Sequence, residues 1–170
     1  AFDAATILEL TRTFAALGAD AAVRAILLSG HGPSFCAGAD ARWMREQATL
    51  GEEENRADAM RLSDMLATIN DCPKPVIASV HGNVFGGGVG LAACADIVVA
   101  RPGTQFRLSE VRLGLTPATI SPFVVAKIGA SQARRFFLTA ESFGAEQAQA
   151  IGLVHAVGED VEALAEDWFR

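Results

Sequence analysis

The sequence predicts an α/β fold, and two observations carry that prediction. Short apolar runs with the length of buried strands stand at Ala25 to Leu28, Val76 to Val80 and Ile97 to Ala100, bounded by glycine, proline or polar residues. Between them lie stretches whose apolar residues recur at helical spacing, so strand, loop and helix alternate along the chain. The chain has 170 residues, 51% of them hydrophobic. No linker or repeat interrupts it, so one domain over 1–170 is expected.

The elements follow in order. Ile7, Leu10, Phe14 and Leu17 mark a first helix, with Asp3 as N-cap and Gly18 as stop. The strand ending near Ser29 leads into turn residues Gly30 to Pro33. Asp40 to Gln47 reads as a short helix. Glu52 to Ile69 reads as a longer one, ended by Pro73 and Pro75. After the strand Val76 to Val80 comes a glycine loop and a helix near Val89 to Ala95, then the strand Ile97 to Ala100. Helical patterns follow over Ala118 to Ile128, Ser131 to Thr139 and Ala145 to Ile151. Val154 to Val157 is one more short strand, and Val161 to Phe169 an amphipathic helix. The chain opens on a helix with no strand before it and stops inside one at Arg170, so a piece of a longer protein is expected.

Composition narrows the function. Fourteen basic against 20 acidic residues give a formal charge of -6, with the charges interspersed. A nucleic acid or an anionic membrane is therefore not the expected partner. No apolar run reaches the ~18 residues of a membrane span. Cys36, Cys72 and Cys94 are odd in number and lie at no metal-binding or redox spacing. Reduced, buried thiols in a cytoplasmic setting are the expectation, with no metal.

Three segments carry possible chemistry. In Phe35-Cys36-Ala37-Gly38-Ala39-Asp40 the small residues let a ligand approach the main chain. A helix starting at Asp40 would aim free amides near Ala39 at an anionic oxygen. The same residues equally suit a tight strand-to-helix turn that needs them only for packing. In the second segment, Gly86-Gly87-Gly88-Val89-Gly90 joins a strand to a helix and again exposes main-chain donors, or else merely packs closely. Gly88, Gly90 and Ala93 satisfy the dinucleotide pattern G-x-G-x-x-A, but the helix that follows is too short for a dinucleotide crossover. The third segment is Leu108-Ser109-Glu110-Val111. Glu110 among apolar neighbours suits proton transfer, or serves as a first-turn acid after a capping Ser109. His31, His81 and His155 pair with no acid at ligand spacing, and no G-x-S-x-G elbow is present. Together, two donor turns and a carboxylate make an oxyanion hole beside a proton-transfer group, suited to a thioester that passes through an enolate.

With those residues in view, the chain resembles the crotonase family, the enoyl-CoA hydratase/isomerase superfamily. The resemblance runs through Gly32-Pro33-Ser34-Phe35-Cys36-Ala37-Gly38-Ala39-Asp40 and Pro73-Lys74-Pro75-Val76 to His81-Gly82. It continues through Gly86-Gly87-Gly88 to Cys94-Ala95-Asp96-Ile97, Gln105-Phe106 to Gly114-Leu115, and Ala145 to Val154. It implies a crotonase-like spiral of ββα units with surrounding helices, the C-terminal helical region being truncated here. It implies an acyl-CoA substrate, with coenzyme A entering as part of the thioester and no separate cofactor. The Ala39 and Gly87 amides would form the oxyanion hole. Ala37, Asp40, Gly86, Gly90 and Pro117 would line the substrate site. The assembly would be a homotrimer or a dimer of trimers. The family's ordinary hydratases carry two glutamates. Here the first position holds Gly90 and the second Glu110, so Glu110 alone would move protons. The lost glutamate would also open space and remove negative charge from the pocket, which suits a branched acyl group or one carrying its own carboxylate.

Leu108 to Leu115 with Pro117-Ala118 and Ile120 to Val124 is similar to a bacterial subgroup of 3-methylglutaconyl-CoA and γ-carboxygeranoyl-CoA hydratases. The expected function is syn hydration of such an enoyl-CoA. The alternatives are a Δ3-Δ2-enoyl-CoA isomerase using the same acid, and a non-catalytic acyl-CoA-binding subunit.

Overall fold

Apolar runs too short for a helix and flanked by turn residues pair into sheets, and amphipathic segments pack on them. The computed structural model describes residues 1–168. Helix α1 (Ala4–Ala19) starts at Asp3, whose carboxylate accepts from the Thr6 N–H at 2.7 Å. It runs one residue past Gly18, the expected stop, and packs on α3 (Glu52–Asn70). Strand β1 (Ile26–Ser29) leads through a long turn to the short α2 (Ala41–Gln47). Strand β2 (Val76–Val80) is buried along its whole length. The glycine segment then begins with an unexpected strand, β3 (Asn83–Phe85), before α4 (Gly87–Cys94).

The chain continues through β4 (Ile97–Ala100), β5 (Gln105–Arg107) and a 3-10 turn over Glu110–Leu113. Helix α5 (Ser121–Thr139) breaks at Gly129, whose φ of 76° is left-handed, so the two helices read from the sequence are two arms of one kinked element. Strand β6 (Phe143–Gly144), α6 (Ala145–Ala150), β7 (Ala156–Val157) and α7 (Val161–Asp167) complete the chain. The expected helix end at Phe169 and the expected stop at Arg170 lie outside the described residues.

One sheet has the order β1-β2-β4-β7 and is parallel throughout, with Ile26 beside Val76, Ile77 beside Ile97 and Val99 beside Ala156. A second sheet, β3-β5-β6, pairs β3 with β5 in parallel and β5 with β6 antiparallel. Side chains alternate across a strand. Val76, Ala78 and Val80 therefore join the main core, while Ile77 and Val99 meet Val161 and Ala165 of α7 on the other face. Phe106 and Phe143 of the second sheet stack at 5.5 Å and belong to the same main core. The segments that follow β1, β3 and β5 carry the site.

Candidate active site

The segment 35–40 is tied to β3 by main-chain bonds. Cys36 N–H donates to Asn83 C=O at 3.2 Å, and Phe85 N–H donates to Cys36 C=O at 2.9 Å. A third strand of chain joins from the other side. Phe2 N–H donates to Gly38 C=O at 2.9 Å, and Asp40 N–H donates to Phe2 C=O at 2.7 Å. These bonds bracket Ala39 in a parallel bridge. Successive main-chain groups of an extended segment point to opposite sides, so the N–H of Ala39 faces away from Phe2.

The glycine turn meets this segment closely. A Cβ on Gly88 would lie 2.6 Å from the Cys36 carbonyl oxygen, so only glycine lets the two chains approach. Gly86 takes φ 52° and ψ -119°, which aims the chain into α4. Gly87 is the first residue of that helix, so its N–H has no partner one turn back.

Glu110 opens the 3-10 turn after β5, and its carboxylate reaches back to the glycine turn. Its Oε1 lies 3.2 Å from where a Cβ on Gly86 would stand. Its Oε2 is buried without a hydrogen-bond partner among the described residues. Burial raises the Glu110 pKa above the ordinary glutamate value, because desolvation penalises the anion.

Ala37, Ala39, Gly86, Gly87, Glu110 and Pro117 all line one cavity of about 320 Å³. The structure thus brings together six of the eight residues the sequence singled out. The other two stand apart. Asp40 is the N-cap of α2, its Oδ1 accepting from Trp43 N–H at 3.1 Å and Arg42 N–H at 2.8 Å. Those two bonds hold its carboxyl below the ordinary range, and the carboxylate does not line the cavity. Gly90 is buried behind the wall. A Cβ there would stand 2.4 Å from Ile120 Cγ2 and 2.9 Å from Ile120 Cβ. The space expected from a missing side chain is therefore filled by Ile120, which is itself 2% exposed and lines the cavity.

Sequence reasoning missed Phe2 and Ile120 as wall residues. Phe2 carries one local signal, an apolar residue just before a helix cap. Ile120 carries none, since its contact with Gly90 joins distant parts of the chain. A second, larger chamber of about 740 Å³ adjoins the first and shares Trp43, Met44, Leu62, Leu113, Leu115 and Thr119 with it. Among the described residues no lysine or arginine lines either space. The histidines lie elsewhere: His81 Nε2 is 2.9 Å from Gly32 C=O, and His155 Nδ1 accepts from Val98 N–H. Among the described residues no group of His, Cys, Asp and Glu could hold a metal ion, and no helix is long and apolar enough to cross a membrane.

Known proteins resemble this chain in sequence and fold. A family model described as enoyl-CoA hydratase/isomerase matches residues 1–169. An enoyl-CoA hydratase of Alternaria alternata is 43% identical over 159 residues, covering 92% of this chain and 50% of its own length. A 2,3-dehydroadipyl-CoA hydratase of Escherichia coli K12 is 32% identical over 161 residues, covering 92% of this chain and 60% of its own. The crystal structure of an enoyl-CoA hydratase from Shewanella pealeana superposes with a TM-score of 0.97 at 40% identity, over 99% of this chain and 63% of that one. The chain spans about half the length of the Alternaria alternata relative and of two further curated relatives from that organism.

Proposed function

Because the chain belongs to the enoyl-CoA hydratase/isomerase family and has its mixed α/β fold, we propose that it hydrates an α,β-unsaturated acyl-CoA thioester with one carboxylate. The observation that carries this reading is the placement of Glu110 in one cavity with Ala39 and Gly87. The Ala39 and Gly87 N–H groups donate to the thioester oxygen as it gains negative charge. Glu110, as its carboxylate, removes a proton from water while the water oxygen bonds to Cβ. The π electrons move to the Cα–C bond and the carbonyl oxygen, giving the enolate. Glu110 then returns that proton to Cα on the same face, and the carboxylate is regenerated. Each main-chain donor of this kind contributes ~10²–10³ in rate, and a positioned acid/base ~10²–10⁴. The raised pKa of Glu110 brings its protonated form closer to working pH. Coenzyme A enters with the substrate, and no separate cofactor takes part.

The acyl group we propose is branched, with 3-methylglutaconyl-CoA the first to try. Support comes from the resemblance around Glu110 and the wide chamber adjoining the cavity. The room expected from the missing side chain supports neither branch nor carboxylate, since Ile120 fills the space beside Gly90; the removed negative charge still favours a carboxylated group such as this one. Assembly into trimers or dimers of trimers is proposed on the resemblance alone. A second reading, Δ3-Δ2-enoyl-CoA isomerisation, is favoured by the same single carboxylate, which would carry a proton between Cα and Cγ.

The test follows the conjugated-thioester absorbance of crotonyl-CoA and 3-methylglutaconyl-CoA in the full-length protein and in Glu110→Gln. Loss of absorbance, slowed ~10²–10⁴-fold in the variant, is expected. No loss with either thioester, while a 3-enoyl-CoA gains conjugation, overturns hydration in favour of isomerisation.

A further inference from the structure

Phe2 joins the two donor segments from outside both. Its main chain grips the residues on either side of Ala39, donating to Gly38 C=O at 2.9 Å and accepting from Asp40 N–H at 2.7 Å. Its ring lies against Gly87: a Cβ there would stand 2.8 Å from Phe2 Cε2 and 3.0 Å from Cδ2. The residue is 3% exposed and forms part of the cavity wall. The bonds between Cys36 and β3 fix the beginning of the 35–40 segment. Phe2 fixes its end, where Ala39 lies.

We infer that Phe2 is a positioning residue that sets the separation and tilt of the Ala39 and Gly87 amides. This rests on reading those amides as the donors to the enolate oxygen. Donors of this kind act when they stand ~2.7–3.1 Å from the oxygen. A misplacement of ~1 Å can cost ~10²-fold in rate. A flat, stiff ring packed on a residue with no side chain holds such a spacing with little slack. Glycine at 87 and an aromatic ring at 2 are thus two halves of one contact. A side chain at 87 would displace the ring, and a smaller residue at 2 would leave the turn unsupported.

The experiment uses the full-length protein with Phe2→Leu and Phe2→Val. Both substitutions keep the main-chain bonds and remove part or most of the ring face. The readouts are kcat and KM on the enoyl-CoA that is turned over, and the red shift of bound cinnamoyl-CoA. That shift reports polarisation of the thioester carbonyl by its donors. Expected are kcat losses of ~10-fold for leucine and up to ~10²-fold for valine. KM stays within about threefold, since a positioning defect acts mainly on the transition state. The red shift shrinks in step. The pH inflection from Glu110 stays where it is, because Phe2 moves the donors and not the acid.

Full kcat and full red shift in the leucine variant, or in the valine variant where it folds, overturn the role of Phe2. A higher KM with kcat unchanged overturns it too, as lost substrate binding. An unsubstituted protein with neither turnover nor red shift instead overturns the reading of the donors themselves.

Discussion

A carboxylate is costly to keep as an anion where burial strips away part of its water, and Glu110 makes that cost visible in stability. Below the ordinary glutamate range both the folded and the unfolded chain hold Glu110 protonated, and its burial costs little. As pH rises from that range through the raised folded value, the unfolded chain releases its proton first and stability is lost. Glu110→Gln stays neutral throughout. The variant is therefore expected to melt above the parent near neutral pH, with the gap closing below about pH 4. Thermal melts of the two proteins across that range check this, and a variant that is less stable at neutral pH contradicts it. An acid between Ser109 and Val111 was legible as a candidate because a charge among apolar residues needs a reason. Its partners were not, since nothing local in the sequence says that Gly86 stands beside its carboxylate.

At the scale of elements, α4 and the start of α5 meet through a glycine and an isoleucine. Gly90→Ala would drive a methyl into Ile120 Cγ2 at 2.4 Å. Overpacking of this kind costs ~1–3 kcal/mol. In an Ile120→Ala background that Cγ2 is gone and the penalty should shrink, although the Cβ at 2.9 Å remains. A double-mutant cycle by urea unfolding measures the coupling. Additive effects would mean that the two side chains do not compete for one space. Gly90→Glu belongs in the same cycle, because adding a second acid at this position requires Ile120 to yield first. The sequence made Gly90 look like an opening because a missing side chain was the only thing local reading could see. The residue that fills the gap arrives from the beginning of another helix. The unexpected second sheet has a similar cause. Its strands are two or three residues long, and β3 and β5 each bury one residue between a polar or aromatic pair, so no period can show. The central strands β2 and β4 were legible because strands covered on both faces read as unbroken apolar runs.

Across the whole molecule, the core shelters reactive groups unevenly. Cys36 and Cys94 are buried and Cys72 is half-buried. Burial pushes the Cys94 thiol up to about 12, with Lys127 opposing this and Asp71 adding to it. A thiol reagent that needs thiolate and access should therefore react first with Cys72, and with all three only after unfolding. Mass mapping of labelled peptides checks the order, and early labelling of Cys94 would contradict the packing around it. The parts of the proposed site that would hold negative charge have a different kind of shelter. Ala39 and Gly87 offer peptide N–H groups, which every residue but proline supplies. An alanine scan would leave Ala39 as it is and at Gly87 would register the clash with the Phe2 ring, so it would record Glu110 and never test the donors themselves. Reading them requires editing the polymer rather than its side chains, for instance by exchanging one amide for an ester so that a single hydrogen disappears and the letter in the sequence stays the same.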